Sequence, residues 1–488
     1  MPNQNNYVPI RILITVIIIL FFLLFAIHPF KWFLISQQMY LTPGSRLYNQ
    51  WLQPTIPIPM QFYFFNLTNP SEFQSGGKPI LQQLGPYTYH EKRLKVNVKH
   101  NLQNGTLEYN EIKQYYFDRN ASIGNENDTI TSVNLGFIGI ASKLSSMPWI
   151  IDALIEIIEK HNNYSLFQTR TVRELLWGYK DDFLTLLSNY SISVPMTEIG
   201  ILINKNNTPG DTILINNGVK NQNMLGKIIY FNGMQILPYW KTLTANMING
   251  SDGTLFHPFL RKHEKLYAFA KEICRSVEFV FHSETEINNL PAYKYILSKD
   301  TFKSAKTCEA NKGFCINWPN CFNDGVLDMS TCQPDTPVVI SQAHFFNADK
   351  SYQTAVDGIY PSDEFNTQFY IEPNTGVILN VQSKFQVNII LKKNKSIRQL
   401  SKIPDILLLP LVYFNESANL NNSTIIELIS IVVKGSMILE QVMICSIIIT
   451  LLILCSILLK PFIYMHRIYD FRSRKEERQH LLSEHEKE

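Results

Sequence analysis

Residues 442–459 read VMICSIIITLLILCSILL, eighteen positions without a formal charge. A helix over this stretch covers roughly 27 Å at about 1.5 Å per residue, close to the hydrocarbon thickness of a bilayer. The run is predicted to be a transmembrane helix, and the rest of the chain takes its sides from it. Lys460, Arg467, Arg472, Arg474, Lys475 and Arg478 follow it, and basic residues just past a span mark the cytoplasmic face. Residues 460–488 are then a short cytosolic tail. Glu440, just before the run, reads as an interfacial carboxylate at the opposite leaflet rather than as part of an ion path.

A second apolar run, Ile12 to Ile27, is interrupted only by Thr15 and follows Arg11, the sole charged side chain in the first thirty residues. His28, Pro29, Phe30, Lys31 and Trp32 come next and offer no small-x-small cleavage site. An uncleaved signal-anchor over residues 12–27 is therefore expected, with residues 1–11 as a cytosolic N-terminal tail. Val8, Ile10, Phe30, Trp32 and Phe33 complete the crossing at the interfaces. Two spans put both termini on one side. Asn-x-Ser/Thr sequons begin at Asn66, Asn104, Asn120, Asn127, Asn163, Asn189, Asn206, Asn249, Asn394, Asn415, Asn421 and Asn422, all between the two runs. Their density agrees with the charge rule in making residues 28–441 a glycosylated lumenal or extracellular domain. With 45% hydrophobic and 17% charged residues, the 488-residue chain can bury a large core. Its formal charge of +3 carries no nucleic-acid footprint.

From Gln61 onward the pattern is mostly strand. Residues 87–98, YTYHEKRLKVNV, approach period-two alternation, and Tyr109 to Phe117 is β-branched and aromatic with polar interleaving. Asn232-Gly233, between Ile228-Ile229-Tyr230 and Ile236-Leu237, predicts a type I′ hairpin. Pro373-Asn374-Thr375-Gly376 turns a further pair whose second limb alternates through Phe385, Val387, Ile389 and Leu391. Antiparallel strands with short turns point to a barrel or a sandwich, in one lumenal domain. The exception is residues 147–188, expected to be a helical insert. Thr171-Val172-Arg173-Glu174 is a capping box opening a helix with Val172, Leu175, Leu176, Tyr179, Phe183, Leu186 and Leu187 on its apolar positions. Before it, residues 149–161 carry isoleucines and a leucine over more than half a helical circumference. Ile151, Leu154, Ile155 and Ile158 are the candidate partner-binding residues there.

Cys445 and Cys455 lie in the apolar run, while Cys274, Cys308, Cys315, Cys321 and Cys332 cluster in one lumenal stretch. Such a cluster suits a disulfide framework in an oxidised compartment. Zinc spacing is missing, there being no CxxC and no neighbouring HxxxH, so no metal site is expected. Spacing leaves the connectivity open, and five is odd.

Several blocks resemble the class B scavenger receptor family, in the family's order: QFYFFNLTNP (61–70), GPYTYHEKR (85–93), ELLWGYKD (174–181), NMINGSDGTLFHP (246–258), CRSV (274–277), GFCINWPNC (313–321) and GVLDMSTC (325–332). The chain is most similar to the family's lysosomal branch. The resemblance implies an α+β membrane protein, with two transmembrane helices flanking a large lumenal antiparallel β-barrel domain under a helical cap. An apolar tunnel for membrane lipids, sterols or fatty acids comes with it. It also implies disulfides joining Cys274 to Cys332 and Cys315 to Cys321; Cys308 departs from the lysosomal pattern. The implied partners are a lysosomal hydrolase such as acid beta-glucosidase, captured by the helix at 149–161, and no nucleic acid; a homo-oligomer is compatible with it. Trp149 stands where the lysosomal branch has a histidine, a departure from that branch's pattern.

Glu477-Arg478-Gln479-His480-Leu481-Leu482 fits the acidic dileucine pattern [DE]xxxL[LI]. Two leucines can enter a clathrin adaptor's apolar pocket while Glu477 meets a basic patch, so a sorting signal to lysosome and late endosome membranes is expected, with some plasma membrane. A cell-surface lipoprotein scavenger receptor is the alternative reading. A two-span ectonucleotidase would need paired glycine-containing phosphate loops, and Ser251-Asp252-Gly253-Thr254 is a single faint echo. Trimeric two-span channels usually have more lumenal cysteines and polar pore-facing positions. No GxSxG, HExxH or P-loop occurs, so neither an enzyme nor a cofactor is expected.

Overall fold

The structure is a computed structural model that describes residues 32–54, 58–144, 165–189, 197–333, 336–419 and 423–485, together with positions 14, 15, 17, 18, 22 and 29. The chain divides into two compact units, residues 1–38 with 427–488, and residues 39–426.

A continuous helix runs Ser423–His485, and from Glu427 on it belongs to the first unit. Within it Met437–Ser456 has a mean hydropathy of 2.5 and holds no buried residue. Twenty residues of helix reach roughly 30 Å, so this is a candidate membrane span, displaced a few residues from the predicted 442–459. The backbone stays helical far beyond it, through the stretch expected to be a tail. Of the run at 12–27, only positions 14, 15, 17, 18 and 22 are described, and these are helical.

The described residues of the second unit form seventeen strands. These are β1 Ile58–Leu67, β2 Leu81–Asn101, β3 Thr106–Asp118, β4 Thr129–Val133, β5 Phe167–Thr171, β6 Tyr179–Lys180, β7 Glu198–Ile199, β8 Pro209–Asn216 and β9 Ile228–Phe231. There follow β10 Leu266–Ala270, β11 Arg275–Ile287, β12 Leu290–Leu297, β13 Val326–Asp328, β14 Val338–Gln342, β15 Gln368–Ile371, β16 Ile378–Lys392 and β17 Ile406–Asn419. Thirteen form one sheet in the order β10-β11-β12-β15-β16-β17-β1-β2-β3-β8-β9, with β14 on β16 and β13 on β14. Its ladders are antiparallel. The strands at the two ends of this order both hydrogen-bond to one short stretch. Ile228 N–H donates to Gly250 O at 2.9 Å, while Ser251 N–H donates to Tyr267 O at 3.2 Å and Phe269 N–H to Ser251 O at 2.8 Å.

Local chemistry sets where the strands bend. β1 shifts register against β2 between Phe62 and Phe64, opposite Gly85. That glycine has φ +135°, and a Cβ on it would lie 2.6 Å from Phe62 O, so a side chain is excluded at the bulge. Asn232 and Gly233 have φ +49° and +76°, as a type I′ turn requires. The returning limb differs from expectation: after the Phe231–Met234 bridge, Ile236 pairs with Met247 instead. Leu237 N–H still donates to Asn246 O at 2.8 Å, but Pro238 after it has no N–H with which to extend a ladder.

The expected alternation of β16 is also corrected. Phe385, Ile389 and Leu391 are buried, but so are Gln386, Asn388 and Ile390. On the second face Ile390 packs in a buried cluster with Val326, Val339, Phe345 and Leu408.

The insert expected at 147–188 is a mixture. A helix runs Leu135–Leu144, ahead of the predicted start, and β5 pairs with β4. The capping box at Thr171–Glu174 is present with both its hydrogen bonds, but the helix it opens is not continuous. Val172–Trp177 stops at Gly178, φ +115°; Tyr179 and Lys180 then pair with β7, and Asp182–Asn189 begins a second helix. Asp181 restarts it, accepting from Leu184 N–H at 2.9 Å. The predicted apolar positions Val172, Leu175, Leu176, Phe183 and Leu187 are nonetheless buried, because each short helix keeps its own phase. The helix expected at 149–161 lies outside the described residues.

Candidate functional site

Period two puts Tyr87, Tyr89, Glu91, Arg93 and Lys95 on one face of β2. Register sets Tyr89 opposite Phe117, Glu91 opposite Tyr115, Arg93 opposite Lys113 and Lys95 opposite Glu111. This face carries rings at one end and charges along its middle, and it is the buried one: Glu91 is 1% and Lys95 3% exposed.

The charges form a paired ladder. Lys95 bonds Glu111, and Arg93 bonds Glu91. Arg93 Nη2 also reaches Glu416 on β17 at 2.5 Å, and Lys113 approaches Glu91 at 3.5 Å. Lys271 lies 4.0 Å from Glu111. Burial alone would push the Glu91 carboxyl up, but Arg93 and Lys113 outweigh it and hold its pKa below the ordinary value. For Glu111 burial is likewise overcome, by Lys95, Arg93, Lys113 and Lys271, and the pKa falls well below the carboxylate range. Arg93, despite its burial, is held protonated by Glu416, Glu91 and Glu111. At the far end Tyr109 donates to Asp252 at 2.6 Å, and the Lys95 ammonium sits 5.4 Å from the Tyr109 ring centre.

At the ring end a cavity of about 600 Å³ opens between β2, β3, the helix Val172–Trp177 and residues 202–206, lined among others by Tyr89, Tyr115, Phe117, Trp177, Arg173 and Asn206. The Trp177 ring lies 5.3 Å from both Tyr89 and Tyr115. Tyr89 OH donates to Glu126 at 2.6 Å and accepts from Trp177 Nε1 at 3.3 Å, while Arg173 stands 3.8 Å from Glu126. Burial and then the Glu126 hydrogen bond raise the Tyr89 pKa, so this phenol stays a neutral donor. Aromatic walls with a few fixed polar groups suit binding of a neutral or amphipathic ligand. Among the described residues no three His, Cys, Asp or Glu side chains gather into a metal set.

Sequence reasoning singled out neither the ladder nor the pocket, although a signal existed: Glu91, Arg93 and Lys95 share a strand face with Tyr87 and Tyr89. Of the described residues that it did single out, Asn206 lines the pocket and the others lie elsewhere. Cys274 is bonded to Cys332 with Cα atoms 6.3 Å apart, and Cys315 to Cys321 at 5.4 Å; Cys308, Cys445 and Cys455 are free. Asn104, Asn120, Asn127, Asn189 and Asn206 are exposed, whereas Asn66, Asn249, Asn394 and Asn415 are half-buried. Asn415 Nδ2 donates to Gln61 at 2.9 Å. Glu477, Leu481 and Leu482 lie in the long helix Ser423–His485. Ile151, Leu154, Ile155 and Ile158, like Asn163, Asn421 and Asn422, lie outside the described residues.

Known proteins place this architecture. Lysosome membrane protein 2 of Mus musculus is 36% identical over 400 residues, 82% of either chain. The Homo sapiens counterpart is 34% identical over 402 residues, again 82% of each. Scavenger receptor class B member 1 of Bos taurus is 30% identical over 388 residues, 79% of this chain and 75% of the relative. The profile of the CD36 family matches residues 10–460. A chain matched over nearly its whole length, with a candidate membrane helix near its C-terminus and a large antiparallel sheet before it, belongs to the CD36 family of membrane-anchored, scavenger-type receptors.

Proposed function

We propose that this chain is a receptor of lysosomal and late endosomal membranes that takes lipid into the interior of its lumenal sheet and passes it toward the bilayer. In this reading residues 12–27 and 442–459 both span, the termini are cytosolic, and residues 28–441 are lumenal. The single observation that carries it is the bonding of both terminal strands of the sheet order to residues 250–251, which supports closure into a barrel. A closed sheet has no bare edge and can enclose a ligand. The rings of Phe62, Phe64 and Tyr89 are each at most 1% exposed and supply apolar wall. Lysosomal address is supported by the 34–36% identity to lysosome membrane protein 2 and by Glu477, Leu481 and Leu482 in an adaptor-type signal. In this reading the segment at 149–161, expected from sequence to be helical, adds capture of a soluble hydrolase through Ile151, Leu154, Ile155 and Ile158.

The test is recovery of the full-length glycoprotein from cell membranes in mild detergent, alongside Leu481→Ala with Leu482→Ala. Wild type is expected in lysosomal fractions with about one lipid equivalent bound, and the double variant at the cell surface with the same cargo. Lipid-free protein from both sites would overturn the cargo assignment, and unchanged lysosomal delivery the sorting assignment.

A further inference from the structure

The aromatic pocket and one sequon meet at Asn206. Asn206-Asn207-Thr208 runs along β3, tied to it by Asn207 N–H to Lys113 O at 2.7 Å and by Gln114 Nε2 to Asn207 Oδ1 at 2.8 Å. The Asn206 side chain is oriented too: its Oδ1 accepts from Tyr115 N–H at 3.1 Å. That leaves Nδ2, the atom to which an N-linked sugar is joined, free of protein partners. Among the described sequon asparagines, Asn206 alone lines the cavity of about 600 Å³, a size within the roughly 300–1,000 Å³ of small-ligand sites.

The chemistry of that wall matches a sugar better than a hydrocarbon chain. A pyranose ring has an apolar face of C–H bonds, which packs on aromatic rings, and a rim of hydroxyl and acetamido groups, which need donors and acceptors. Tyr115 and Trp177 supply rings inclined at 50°; Asn204, Arg173 and Glu126 supply polar partners around the same cavity. We propose that this pocket seats the first N-acetylglucosamine residues of a glycan carried on Asn206, so that the receptor's own modification forms part of its folded surface. The inference rests on residues 28–441 being lumenal. Asn127, in an exposed turn beside Asp128, is the internal control, since it does not line the cavity.

The experiment is native and denatured digestion of the full-length, mammalian-expressed glycoprotein with a peptide N-glycosidase, with release at Asn206 and Asn127 followed by peptide mass. Seating predicts release at Asn206 about tenfold slower than at Asn127 in the native protein, because cleavage waits for local opening, and equal release after denaturation. Trp177→Ala should bring the native rate at Asn206 up to the Asn127 rate; if that variant fails to fold, the wild-type rate comparison still decides. Equal native rates, or an unmodified Asn206 beside a modified Asn127, would overturn the seating alone. An absence of glycan at both sites would overturn the lumenal reading along with it.

Discussion

The two faces of the sheet accommodate polar groups by different means. On the β2–β3 face, Glu91, Arg93, Lys95, Glu111 and Lys113 are ionised and paired with one another. Behind β16 the buried groups are neutral. Gln386 Oε1 accepts from His344 N–H at 2.7 Å, Gln386 Nε2 donates to Asn388 at 2.6 Å, and Asn388 Nδ2 donates to Ser341 at 3.0 Å. The His344 ring stacks on Phe365 with centroids 4.6 Å apart, and burial depresses its pKa to about 4. Charges are tolerated where several of both signs face each other; where no counter-charge faces the ring, burial keeps the imidazole neutral.

The largest expected effect lies on the charged side. Lys95→Met removes the direct partner of Glu111, whose side chain is 9% exposed, and should cost about 3–5 kcal/mol, read as a drop in thermal midpoint. Lys95→Met with Glu111→Met should recover most of the loss. An additive double variant would mean that the pair is not coupled and would erase the contrast between the faces.

An intermediate effect is expected on the neutral side, as a pH dependence. His344 Nε2 donates to Gln83 Oε1 at 2.7 Å and Nδ1 accepts from Tyr360 N–H at 3.1 Å, so a second ring proton has no acceptor. Its folded pKa of about 4 lies below the ordinary 6.5. The unfolded chain therefore binds the proton first, and stability is lost as pH falls from about 6.5 to about 4. Between pH 7 and pH 5 this amounts to about 2 kcal/mol. His344→Asn, which suits the position's φ of +52°, should flatten that slope in unfolding curves at the two pH values. The ladder should not contribute to it: Glu91 and Glu111 have lowered pKa values, so their stabilisation is present above the unfolded carboxylate range and is lost only below it. A slope unchanged by His344→Asn would locate the acid sensitivity elsewhere.

The smallest effect sharpens the comparison within a single hairpin. Lys99 and Glu108 pair at 2.9 Å on the same two strands, but their side chains are 77% and 36% exposed. Lys99→Ala should change stability by less than about 0.5 kcal/mol, far less than Lys95→Met in the same assay. Comparable losses at both positions would mean that burial is not what makes the ladder count.

Much of this was legible in local sequence. The apolar run near the C-terminus announced a helix by composition alone, the Asn232-Gly233 turn by the need for positive φ at both central positions, and the Thr171–Glu174 cap by a reciprocal pair of hydrogen bonds spaced three residues apart. Each depends on a few neighbouring residues, so one chain segment suffices to specify it. The sequence by itself could also say that residues 87–98 would alternate, because pleating enforces period two; the pairing is regular as far as Val96, after which the register shifts and Asn97 takes φ +53°. Which face of that strand turned inward was decided by tertiary structure. Charges normally mark the outside; only the arrival of Glu416 from β17 and Lys271 from the 3-10 turn after β10 makes an ionised interior tolerable. The same holds for β16, whose second face is buried in a cluster that includes Val326, Val339 and Phe345, and for the pocket, assembled from Tyr89, Trp177 and Asn206. Contacts between residues so far apart in the chain depend on packing and loop closure, which local pattern does not encode.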